Sequence, residues 1–161
     1  MKNNIRLIIV IALIAVTLTA LAASKNHTGI INNSALIYPE VYSSDETGSA
    51  TDVSDYKGAM ITALVGSGTF TTTNSVKVKL QHSASSTAGT FEAVSTGDII
   101  GVTPESDGSI LTLEAATAGD KIVNAAYIGG KKYIRVVLDA SGTITATSAV
   151  VLTKSMPYIA Q

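Results

Sequence analysis

The stretch Val76-Lys77-Val78-Lys79-Leu80-Gln81-His82 alternates apolar and polar side chains without a break, and this period of two constrains the fold more than any other feature. An extended strand puts successive side chains on opposite faces. Both valines and Leu80 therefore go to one side, and the two lysines and Gln81 to the other. Such a half-buried strand belongs in an antiparallel sheet with one wet face. The period returns in Tyr133–Leu138, where Ile134, Val136 and Leu138 face one way and Tyr133, Arg135 and Val137 the other. Apolar strand faces need a second layer to cover them, and Val76, Val78 and Leu80 are expected to meet Ile134, Val136 and Leu138 in one core.

The remaining segments fit the same scheme. Ala59–Val65 is an almost continuous apolar run between Gly58 and Gly66, expected to be a strand buried on both faces. Ala35–Tyr38 begins a strand that Pro39 ends or confines to a sheet edge. Phe91–Val94, Ser109–Leu113 and Ile122–Ile128 are shorter strand candidates, and Ser43–Ser54 reads as a loop. Ile128-Gly129-Gly130-Lys131 predicts a tight type I′ hairpin, since two glycines can both take positive φ. Asp139–Gly142 is a turn into a last strand over Thr143–Thr153. No amphipathic helix follows residue 25 and no internal repeat is present. The reading is an all-β, antiparallel β-sandwich or jelly-roll-like single domain over residues 35–161, joined by a linker or arm at 24–34 to a helical hydrophobic leader.

That leader occupies residues 1–23. Lys2 and Arg6 precede the apolar run that starts at Leu7, and Ala20-Leu21-Ala22 supplies a small-x-small end. These are the parts of a secretory signal peptide. Leu7–Ala23 is a little short of the ~20 residues of a bilayer span, yet it could serve as an uncleaved membrane anchor. A third reading is an apolar arm buried against partner subunits.

Composition removes several functions. Residues 24–161 hold 9 Lys and Arg against 12 Asp and Glu, which is no footprint for nucleic acid. Cysteine is absent, which excludes disulfides and thiolate chemistry. The two histidines, His27 and His82, have no partner of metal-ligand type near them in sequence, and His82 reads as a polar residue at a strand end. Asp45, Glu46, Asp52 and Asp55 lack the spacing of a calcium loop. Glu105 and Asp107 flank a turn and read as surface carboxylates. Gly66-Ser67-Gly68 is followed by neither a lysine nor a helix start, so it is a turn and not a phosphate cradle. No catalytic residue, cofactor or metal is expected, and the chain is not read as an enzyme. Lys131, Lys132 and Arg135 form a small basic group that could contact an acidic partner surface.

Several segments resemble small structural proteins of tailed-phage virions. The likeness rests on Lys79-Leu80-Gln81-His82-Ser83, on Phe91-Glu92-Ala93-Val94, and on Tyr127-Ile128-Gly129-Gly130-Lys131-Lys132-Tyr133-Ile134-Arg135-Val136. It spans roughly residues 50–157, and the last motif is its most specific part. The resemblance implies a minor capsid, cement or decoration protein that binds the assembled shell. Its partners would be the major capsid protein and further copies of itself, its location the virion, and it has no catalytic residues to carry over. Ala84–Thr87 stands where an acidic turn is usual. The leader departs more seriously, because phage heads assemble in the cytoplasm. The alternative is a secreted or membrane-tethered β-sandwich binding module, adhesin-like, with membrane contact through residues 7–23.

Overall fold

The computed structural model describes residues 31–66, 68–115 and 120–157. The leader at 1–23 and His27 lie outside the described residues. Eleven strands follow in order: β1 Ile31–Tyr42, β2 Glu46–Thr47, β3 Thr51–Asp52, β4 Tyr56–Val65, β5 Ser75–Ser83, β6 Glu92–Ala93, β7 Ile99–Ile100, β8 Ser109–Leu113, β9 Lys121–Tyr127, β10 Tyr133–Ser141 and β11 Ala146–Pro157. A 3₁₀ turn at Ala88–Thr90 is the one helical piece among the described residues. No helix among them is long and apolar enough to cross a membrane.

The strands form two antiparallel sheets. Sheet A has the order β1-β11-β4-β9-β7. In sheet B, β10 and β5 are the central pair, with β2 and β3 along the outer edge of β10 and β6 and β8 along that of β5. Val136 lies opposite Leu80, and Leu138 opposite Val78. Val76, Val78, Leu80, Ile134, Val136 and Leu138 are all fully buried, as their alternation requires. Sheet A covers them with Ile61, Ala63, Val65, Ala125, Val150 and Leu152, all in the same core cluster. Phe70, on the β4–β5 connection, is buried with them.

Four expectations need correction. Ala59–Val65 is not buried on both faces. Ala59, Ile61, Ala63 and Val65 point inward, whereas Met60 is 43% exposed and Thr62 and Leu64 are half-buried. The first strand begins at Ile31, earlier than Ala35, and runs on through Pro39. It can do so because β1 is an edge, where a missing N–H breaks no ladder. The Ser43–Ser54 loop also contributes β2 and β3 to sheet B.

The fourth correction concerns Ile128–Lys131. It is no hairpin: β9 lies in sheet A and β10 in sheet B, so the segment is a crossover between layers. Neither Gly129 nor Gly130 has positive φ. Gly129 has another reason to be glycine, since a Cβ there would lie 2.6 Å from Tyr127 Oη. Positive φ falls instead at Gly101, Gly108 and Gly142, and at Gly142 (φ +73°), between β10 and β11, a Cβ would meet the Thr73 carbonyl oxygen at 2.2 Å.

Candidate functional site

The outward positions of the three central strands of sheet A line up in rows. Thr153, Met60 and Ala126 are neighbours, with Ile100 beyond Ala126. Val151, Thr62 and Asn124 make a second row, and Ala149, Leu64 and Ile122 a third. None of these residues is charged. The large exposed hydrophobic residues among those described are Ile31, Tyr38, Val41, Met60, Ile100, Ile122 and Ile128. Six of them lie on strands of sheet A, and Ile128 directly follows β9. Tyr38 reaches 72% exposure and Ile122 65%. Pro39, Leu64, Ile122 and Ala149 border a shallow depression of about 400 Å³, with Asp120 and Lys121 at its rim.

The outer face of sheet B is the opposite in character. Lys77 Nζ lies 3.1 Å from Glu105 Oε2, and Lys79 Nζ lies 3.2 Å from Asp107 Oδ2 and pairs with Asp139 as well. Glu105 and Asp107 are thus the anionic half of a surface ion-pair ladder. Burial pushes the Asp107 carboxyl up, but the Ser109 hydroxyl and N–H and the Lys79 ammonium outweigh it and hold the group at about 2. The Thr112 hydroxyl and the Lys77 ammonium likewise hold Glu105 below its ordinary value.

The basic trio of the sequence does not converge. Arg135 lies on the outer face of β10, where its Nε donates to Gln81 Oε1 at 2.8 Å and its guanidinium sits 4.3 Å from the Phe91 ring centre. Lys131 pairs with Glu92 at 3.1 Å and Lys132 with Asp52 at 3.4 Å. These two lysines line a cleft of about 340 Å³ between the start of β4 and the β9–β10 crossover. The acidic loop also disperses. Asp45 accepts the Ala140 N–H, and Asp52 accepts the Ser54 N–H and hydroxyl. Among the described residues no three His, Cys, Asp or Glu side chains group as metal ligands would.

His82 differs most from its sequence reading. It is 5% exposed, and its Nδ1 lies 3.0 Å from Tyr127 Oη. His82 belongs to sheet B and Tyr127 to sheet A, so this hydrogen bond ties the two layers through the core. The Tyr127 hydroxyl also accepts the Lys131 N–H at 3.1 Å, which pins the crossover. With the ring proton on Nε2, His82 directs that N–H toward Glu92 Oε1 at 3.5 Å and receives the tyrosine proton at Nδ1. Asp98 Oδ1 stands 3.9 Å from Nδ1. The Ser95 hydroxyl and N–H keep Asp98 below its ordinary value, and burial raises that of Tyr127. The pair orients the Tyr127 ring and ties the two layers together.

Two features escaped the sequence. The cross-layer bond joins residues 45 positions apart, and no local pattern announces it. The uncharged face of sheet A did have a signal, the unbroken apolar run Ala59–Val65. Such a run fits a strand covered on both sides and equally a strand whose second face awaits a partner. No family model matches the chain, and no curated protein matches it.

Proposed function

We propose that this chain is a structural subunit of a tailed-phage virion, a minor capsid, cement or decoration protein that docks on the assembled shell through the outer face of sheet A. The observation that carries the reading is the segregation of the exposed large hydrophobic residues onto that one sheet. On a small protein an exposed patch of a few hundred Å² often marks an interaction site. With ~4.8 Å between strands and ~3.4 Å per residue, the five-strand face between Leu64 and Met60 covers roughly 300 Å² in projection. A specific interface takes about 800 Å² from each partner. The contact therefore extends onto β1, where Pro39 borders the same depression as Leu64, Ile122 and Ala149. A jelly-roll-like path suits this reading too, since the chain changes layer at β1–β2, β3–β4, β4–β5 and every link from β6 to β11. Binding only the assembled shell would stabilise it by mass action.

The test is purification of particles from cells making the full chain together with a variant carrying Met60→Lys, Leu64→Lys and Ile122→Lys. Outward lysines leave the core untouched, so the variant should fold and should be missing from particles that hold the unaltered chain. Full occupancy by the variant would refute sheet A as the docking face. Recovery of the unaltered chain outside cells, cleaved after Ala22 or Ala23 and absent from particles, would replace the virion reading with a secreted binding module.

A further inference from the structure

The cleft beside the crossover carries a second inference, independent of sheet A. Its lining includes three lysines, Lys57, Lys131 and Lys132, and no carboxylate. Lys131 pairs with Glu92 and Lys132 with Asp52, and both carboxylates stand outside the lining, 59% and 40% exposed. Exposed ion pairs of this kind hold their members weakly, and an ammonium has three N–H groups, so each lysine can take a further acceptor. Backbone donors are at hand as well. Among the described residues, neither the Gly129 nor the Gly130 N–H donates to a protein acceptor. A Cβ at Gly130 would meet nothing within 4 Å, so the backbone is open to an approaching group there. Val53 and Ala59 supply an apolar wall that can cover side-chain methylenes. The volume lies at the small end of the ~300–1,000 Å³ of ligand pockets, which suits one side chain and its flanks better than a cofactor.

We propose that this cleft receives an aspartate or glutamate side chain from an acidic peptide segment of a partner protein, held by Lys57, Lys131, Lys132 and the Gly129-Gly130 backbone. The experiment is a titration of the isotope-labelled full chain with hexaglutamate, hexaglutamine and inorganic phosphate, read by amide chemical shifts. Hexaglutamate should move the amides of Gly129, Gly130, Lys131 and Lys132, and hexaglutamine should not. Raising salt from ~0.05 M to ~0.5 M should weaken the effect, because the cations are solvent-accessible. Changing Lys57, Lys131 and Lys132 to glutamine together should reduce affinity about tenfold. Lys77→Gln, on the outer face of sheet B, should leave it unchanged. Should the triple variant lose its amide dispersion, the salt series on the unaltered chain decides. Shifts centred on Lys77 and Lys79, binding indifferent to salt, or equal binding of hexaglutamine would each overturn the proposal. Phosphate alone moving the same amides as tightly as hexaglutamate would overturn the peptide occupant in favour of a free-anion site.

Discussion

Replacing Tyr127 with phenylalanine removes one oxygen atom and leaves the ring that packs edge-on to His82. That atom makes two short contacts, 3.0 Å to His82 Nδ1 and 3.1 Å to the Lys131 nitrogen, and a longer one of 3.5 Å to the Lys131 carbonyl oxygen. Each typical bond contributes about 1 kcal/mol net. The two losses are unequal in consequence. Water can reach the exposed Lys131 segment, whereas the His82 side chain is only 6% exposed and its Nδ1 would be left without a partner. An unsatisfied buried acceptor adds ~1–3 kcal/mol, so Tyr127→Phe should cost about 2–4 kcal/mol in all. Against a usual domain stability of ~5–15 kcal/mol this is a large fraction. Urea unfolding followed by circular dichroism would measure it, with an unchanged m-value confirming that the same surface is exposed. His82→Phe should also destabilise, but adding it to Tyr127→Phe should cost much less than the sum, with a coupling of about 1–2 kcal/mol. If Tyr127→Phe falls within ~0.5 kcal/mol of the unaltered chain, or the two losses simply add, the inter-sheet bond does not contribute as argued.

Other changes test other parts of the structure. Val136→Asp places a charge in the core between the sheets and should cost several kcal/mol, about 3–5, whereas Val137→Asp, directly opposite Lys79, should cost under ~1 kcal/mol; equal losses in thermal unfolding would contradict the assigned faces. Gly142→Val should cost at least ~2 kcal/mol, because it combines positive φ with a collision on the Thr73 carbonyl oxygen, and a wild-type melting temperature would show that the turn is misassigned. The folded-state value of Asp107 lies at about 2, below its ordinary 3.8, so its contribution is complete above about pH 4 and is lost as pH falls toward 2. Acid titrations of stability should therefore show a shallower fall over that window in Asp107→Asn, and identical acid limbs would count against the Lys79–Asp107 pair.

Strand period was readable because it depends only on neighbouring residues. Val76–His82 and Tyr133–Leu138 name their own inward faces, and the structure pairs them in register with Val136 opposite Leu80. Pairing partners were less readable, as the Gly129-Gly130 crossover illustrates. A double glycine between two strands permits a hairpin, but it permits equally a tight passage past the Tyr127 ring, and only the tertiary setting separates them. The same holds for the lysines. Lys131, Lys132 and Arg135 are close in sequence, yet alternation along β10 and the crossover send them to different surroundings. Sequence could name the residue types at the cleft, though not the contribution of Lys57 from β4.

The position of β11 between β1 and β4 has a consequence for how the protein is made. β1, the first strand of the domain, finds its neighbour only in residues 146–157, so sheet A has a gap at its centre until nearly the whole domain has left the ribosome. β5 ends at Ser83 and β10 begins only at Tyr133, which leaves few short-range pairings to anchor early structure. Chains dominated by such distant pairings fold slowly, because loop closure must come before any reward from contact. Until β11 emerges, the apolar strand Ala59–Val65 has one edge without its neighbour. Aggregation and chaperone capture compete with folding in that interval, and the arrival of β11 ends it.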